Sequence, residues 1–197
     1  MNFAIFSDNR RAWSFISAAF GIQAAGSLFI LHLFRMNFTD LRLPVSILVF
    51  GMLLGAAFSV YSRSRELGPW QWWIPPVLYA FFIYSLSDQS YPNAQPTVSP
   101  KFFHPAEYMV LTWFLCVGWM PVLRRGRTFS FAARVLCTGL LFAASDEFHQ
   151  SYVPGRTPQV SDVFFWDLMG IALALGAVLL ANRRLAACPV RRGEEQP

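Results

Sequence analysis

The chain has little charge: Asp, Glu, Lys and Arg make up 14% of its 197 residues, against about 25% in a typical soluble domain. That shortage argues against an ordinary water-soluble globule. No basic run with interleaved aromatics is present, so the net charge of +5 does not point to nucleic acid. The three cysteines, Cys116, Cys137 and Cys188, show no metal-ligand or redox spacing and read as small apolar fillers. HExxH and CxxC are absent, and so is the Gly-x-Ser-x-Gly nucleophile elbow. No internal repeat is visible. What is abundant is apolar: 55% of residues are hydrophobic and 17% aromatic, with 20 Phe and 7 Trp.

These apolar residues fall into six segments, near 13–34, 44–61, 70–87, 104–122, 129–147 and 163–182. Each approaches the ~17–25 residues that cross a bilayer as a helix. The fold class predicted is therefore all-α, a polytopic transmembrane helix bundle of about six spans. The run 13–34 is longer than the ~7–15-residue apolar core of a signal peptide, so it is expected to be a retained span. The third segment is the weakest. Pro75 and Pro76 near its start suit a first helical turn, giving a short helix. Trp70, Trp72 and Trp73 ahead of it would form an interfacial belt.

Arginine placement predicts orientation. With the N-terminus inside, Arg10, Arg11, Arg63, Arg65, Arg124, Arg125, Arg127, Arg183, Arg184, Arg191 and Arg192 face the cytoplasm. The outer loops keep Arg35, Arg42, Lys101 and Arg156. Lys and Arg favour the cytoplasmic side, so both termini are expected there. Close helix packing is suggested by Gly51 and Gly55 in the second span, Gly21 and Ala25 in the first, and Gly170 and Ala174 in the sixth. Three regions result: a two-span segment 1–70, a four-helix unit 71–183, and a polar tail 184–197 expected to be disordered.

Polar groups converge in two outer loops. The stretch SDEFHQSYVPGRTPQVSDVFFWD, residues 145–167, holds Asp146, Glu147, His149, Gln150, Arg156, Asp162 and Asp167 between apolar segments. Ionisable groups at a membrane boundary cost free energy, so such a cluster is a functional-site hypothesis by default. The other loop, 87–108, supplies Lys101, His104 and Glu107.

His104 and Glu107 are i, i+3 and share a face with Tyr108; Asp146, His149 and Gln150 do the same one helix later. Two helices each offering a carboxylate and an imidazole resemble carboxylate metal sites in bundles. The cofactor and any metal stay open at this point. Several groups have plainer readings. Asp162 suits a helix N-cap, and Tyr108 suits an interfacial aromatic. Arg156 can pair with Asp162, Lys101 can snorkel to headgroups, and Pro154-Gly155 signals a type II turn. His149 reads as a solvated helix-end residue, and His32 as an interfacial one. Asp167, about 7 Å into its span, is the hardest to explain without a partner, a proton or water.

Two motifs resemble those of the VanZ-like family of bacterial membrane proteins. One is KFFHPAEY, Lys101 to Tyr108, similar to the family's K-x-x-H-F-x-E-Y. The other is Asp146-Glu147-x-His149-Gln150, then Val153-Pro154-Gly155-Arg156, Asp162-Val163 and Asp167-x-x-Gly170, which follows the family's D-E-x-H-Q…V-P-G-R…D-V…D-x-x-G order. The likeness covers about residues 75–180 and leaves the first two spans outside. Pro105 departs from the family's usual Phe and bears on helix entry more than chemistry. The family is named for a protein linked to teicoplanin resistance. The resemblance thus implies a role at the outer face of the bacterial cytoplasmic (inner) membrane, without supplying a reaction.

The leading expectation is an envelope membrane protein whose outer-face polar site binds a lipid-linked phosphate or a glycopeptide. Its partners would be the lipid bilayer and a lipid-linked cell-wall precursor or anionic lipid. The second is a membrane enzyme, a lipid-phosphate hydrolase or transferase. There Glu147 or His149 would be general acid/base, Asp162 or Asp167 would orient it or bind a metal, and Arg156 would hold the phosphate. Lys101, His104, Glu107 and Gln150 complete the expected substrate-binding set. The third is a scaffold whose polar cluster only locks helix ends.

Overall fold

The computed structural model describes residues 8–33, 41–62, 68–89, 103–156 and 159–187. They form helices α1 (Asn9–Leu33), α2 (Arg42–Tyr61), α3 (Ile74–Ser87), α4 (His104–Arg124), α5 (Thr128–Gln150), α6 (Val160–Asp162) and α7 (Leu168–Ala187). A 3-10 turn, Pro69–Trp73, leads into α3, and a π-helical turn, Val163–Asp167, joins α6 to α7. Lys101, Cys188 and the tail 188–197 lie outside the described residues, as does most of the loop 87–108.

Five helical stretches are long and apolar enough to cross a membrane: Asn9–Ile30, Arg42–Tyr61, His104–Arg124, Thr128–Gln150 and Val160–Arg184. The expected third span is shorter. α3 has 14 residues, about 21 Å at 1.5 Å per residue, and reaches bilayer length only if the 3-10 turn is counted with it. Its brevity follows from Pro75 and Pro76, which occupy the first turn because proline cannot donate to an earlier carbonyl.

The outer surface is apolar. Ile22, Leu141 and Phe165 are each 72% exposed and Phe129 86%. Such a surface suits lipid, and within the bilayer every backbone polar group must be satisfied inside the helices. The interior is aromatic. Trp13 stacks between Phe58 and Trp72, and Phe20 stacks on Phe114 beside Tyr79. The tryptophans ahead of α3 contribute to it. Trp72 packs on Trp13, Trp73 meets Trp119 edge-on, and Trp70 alone of the three is largely exposed.

Helix pairing uses the small residues. A Cβ on Gly51 would strike the Phe20 ring and one on Gly55 would meet Ser17 backbone atoms, so α1 and α2 approach closely there. Ser14 and Ser59 hydrogen-bond across the pair at 2.7 Å, and the Ser17 hydroxyl donates to the Met52 carbonyl at 2.8 Å. α4 lies against both α5 and α7, and α3 bridges α2 and α4.

Candidate functional site

α4 begins at His104, with Pro105 in the first turn. That turn sits almost on the backbone of α7: a Cβ on Gly170 would overlap the Pro105 carbonyl. Glycine at 170 is therefore what lets the two helices close. One helical turn before it, Asp167 meets His104, with Nδ1 2.9 Å from Oδ1. The Asp167 side chain is 1% exposed, and its Oδ2 has no hydrogen-bond partner among the described residues.

The π turn sets the direction of Asp167. In a regular α-helix residues five apart point about 140° from one another. A wider π turn reduces that angle, and here both Asp162 and Asp167 are buried. π turns recur at functional sites because they re-aim side chains in this way. Asp162 is not the N-cap the sequence suggests. Gln159 takes that position, in extended conformation, and the Asp162 N–H donates to the Gln159 carbonyl at 2.7 Å. The helix starts at Val160, three residues earlier than the apolar pattern implies, placing Asp162 inside the first turn.

Glu147, on α5, comes from the third side. Its Oε2 accepts the Gln159 backbone N–H at 2.9 Å, tying the end of α5 to the start of α6. His104, Glu147 and Asp167 each offer one ligand-type atom, and these atoms lie within 4.8 Å of one another. Of the described residues they are the group of His, Cys, Asp and Glu spaced to hold a metal ion. Asp162 acts electrostatically on both Glu147 and Asp167, while Asp146 and Arg156 act on Glu107.

The expected pairing of an imidazole and a carboxylate on each of two helices is replaced by a different arrangement. The imidazole comes from α4, one carboxylate from α5 and the other from the π turn. Neighbours on a helix diverge by about 100° and second neighbours by about 200°, so Asp146, Glu147 and His149 cannot face one centre. Asp146 Oδ2 accepts the Ser87 hydroxyl at 2.8 Å and the Gln150 amide at 3.1 Å. Gln150 also donates to Ser87 at 3.3 Å. His149 turns toward α3. Its Nδ1 is 2.7 Å from the Tyr84 hydroxyl, its Nε2 is 3.3 Å from Asp88, and the two rings stack at 3.9 Å.

Arg156 reaches the same end of α3. Nε donates to the Gln89 carbonyl at 3.1 Å and an Nη to the Leu86 carbonyl at 2.9 Å. A cation at a helix C-terminus satisfies orphan carbonyls and complements the dipole. The turn that delivers it is as expected. Gly155 has φ +83° and the Arg156 N–H bonds the Val153 carbonyl at 3.1 Å, as a type II turn requires.

Tyr108 is not an interfacial residue: it is fully buried between His104 and Phe142. Ser87, Tyr84 and Asp88 carry no spacing signal and were not foreseen. Only the packing of α3 on α5 discloses them. His32 is exposed, as an interfacial residue would be, and Cys116 and Cys137 are free thiols, one buried and one exposed.

No curated protein and no solved structure matches the chain. Residues 93–182 match the VanZ/LLP1 family model, a stretch that contains His104, Glu147 and Asp167, so the part of the chain that builds the cluster is similar to that family.

Proposed function

We propose that this chain is a bacterial membrane enzyme, a lipid-phosphate hydrolase or transferase, centred on His104, Glu147 and Asp167. The observation that carries the reading is the convergence of an imidazole and two carboxylates from three helical segments within 4.8 Å. Locking helix ends together does not require it, because Ser87, Gln150 and Arg156 already do so with ordinary hydrogen bonds. Charged groups are costly at membrane depth, and their retention there favours chemistry over packing.

The geometry supports an acid–base division of labour. Asp167 accepts from His104 Nδ1, which orients the ring and leaves Nε2 to exchange a proton with substrate. Glu147, fixed by the Gln159 N–H, takes a proton from water as its oxygen bonds to phosphorus. The phosphorus–oxygen bond to the leaving group breaks, and His104 protonates that oxygen. In a transferase an acceptor hydroxyl replaces the water. Arg156 contributes positive charge near Glu107. Glu107 and Gln150 remain proposed substrate contacts, and so does Lys101, which lies outside the described residues. His149 and Asp162 would act through position, His149 against Tyr84 and Asp162 against Glu147 and Asp167.

The arginine bias supports placing both termini in the cytoplasm and the cluster toward the outer leaflet, where lipid-linked wall precursors are displayed. The unit 71–183 would hold the chemistry and 1–70 would buttress it. The test is phosphate release from polyprenyl phosphate, polyprenyl diphosphate and phosphatidic acid by the full chain in nanodiscs. We expect His104→Ala, Glu147→Gln and Asp167→Asn to lower turnover by about 10²-fold or more while the protein stays monodisperse. Wild-type protein inert on all three lipids, with teicoplanin susceptibility still altered by the variants in cells, would favour a binding role. Loss of membrane abundance across the three would favour a scaffold.

A further inference from the structure

His104, Glu147 and Asp167 constitute a donor set of one imidazole nitrogen and two carboxylate oxygens. Neighbouring ligand atoms around a four-coordinate ion with bonds near 2.0–2.1 Å lie about 3.3 Å apart. Atoms already within 4.8 Å of one another need only small rotations to reach that spacing. The independent sign is Asp167. It is 99% buried by its 1% exposure, yet its Oδ2 has no donor among the described residues. A buried carboxylate oxygen left without a donor is unfavourable, and a cation would satisfy it. Glu147 is likewise hydrogen-bonded through Oε2 to a backbone N–H, the kind of outer contact that holds a ligating carboxylate in place.

We infer that these three side chains bind one divalent first-row transition-metal ion, of the Zn2+ or Mn2+ kind. An imidazole among the donors disfavours Mg2+ and Ca2+, which prefer all-oxygen shells. The lack of thiolate disfavours soft Cu(I). Three protein ligands leave a position for water or a phosphoryl oxygen, the pattern of a catalytic site and not of a closed structural one. Asp162 acts electrostatically on Glu147 and Asp167, an acidic setting that suits a dication. The simpler alternative is a His104–Asp167 ion pair with Glu147 alongside and no metal.

The inference rests on the side chains of the proposed function but gives His104 and Glu147 ligand roles in place of the acid–base roles described there, so it can fail separately from it. Lipid-phosphate turnover that survives complete metal removal would end the metal assignment and leave the enzyme. A bound ion without turnover would do the reverse. The experiment takes the full chain in nanodiscs, stripped with chelator and titrated with Zn2+ alone and Mn2+ alone. About one ion per chain should bind. His104→Ala, Glu147→Gln and Asp167→Asn should each weaken binding at least tenfold, while Asp88→Asn and Cys137→Ser leave it unchanged. Should the three variants aggregate, Co2+ on the wild-type protein decides the matter. Visible ligand-field bands without a thiolate charge-transfer band would support a nitrogen–oxygen site. No stoichiometric ion in the wild type would overturn the inference. So would affinity indifferent to the three ligands, or equal loss in Asp88→Asn.

Discussion

Asp146 and Glu147 are adjacent in sequence and sit in different environments. The first accepts from Ser87 and Gln150 and fastens α5 to α3; the second accepts from Gln159 and faces His104 and Asp167. The separation is a consequence of helix geometry, about 100° per residue. His149, two residues on, turns to Tyr84. The run Asp146 to Gln150 thus serves three neighbourhoods, only one of which has the makings of a reactive centre. Ser87→Ala tests the structural member. It leaves Asp146, a fully buried carboxylate, with one donor fewer. We expect a loss of about 0.5–2 kcal/mol, read from chemical unfolding in mixed micelles. A variant as stable as wild type would show that Gln150 alone satisfies the carboxylate.

At the scale of elements, the π turn at Val163–Asp167 is the feature on which the cluster depends. Gly170 anchors α7 against Pro105, so Asp167, one turn away, is held near His104 by helix packing. The extra residue in the turn then sets where α6 begins, and with it the Gln159 N–H that orients Glu147. Deleting Phe164, an exposed residue in that turn, would restore regular α-helix and rotate 159–162 by about 100°. Turnover on the lipid phosphates should fall tenfold or more, the usual cost of losing a contact that orients a functional group. Phe164→Ala, which keeps the residue count, should stay within about twofold of wild type. Equal effects of the two changes would mean that the ring matters and the π geometry does not.

For the whole molecule, the apolar exterior and five long apolar stretches describe a bundle embedded in lipid, with its polar cluster at one end of α4 and α5. Which side of the membrane that end faces governs what it can meet. The loop at Gly126, rich in arginine, and the turn at Gly155 lie at opposite ends of α5. Alkaline phosphatase fused after Gly155 should be active outside a bacterial host's cytoplasmic membrane, and fused after Gly126 it should be inactive. The reverse result would move the cluster to the cytoplasmic face and remove the wall-precursor expectation.

Composition and apolar run length were enough for an all-helical membrane bundle, because a bilayer admits so few alternatives for an unpaired backbone. The glycine spacings likewise foretold close packing, which Gly51, Gly55 and Gly170 display. His104, Glu147 and Asp167 were all legible as unusual polar residues, since a charge in an apolar stretch stands out wherever it points. Their grouping was not legible. Sequence spacing reports which residues share a face of one helix, and this cluster draws one residue from each of three segments. The burial of Tyr108, the stacking of Trp72 on Trp13 and the part played by Ser87 were hidden for the same reason. Each is decided by which helix lies opposite, and that depends on the summed packing of the bundle, which no local pattern of residues encodes.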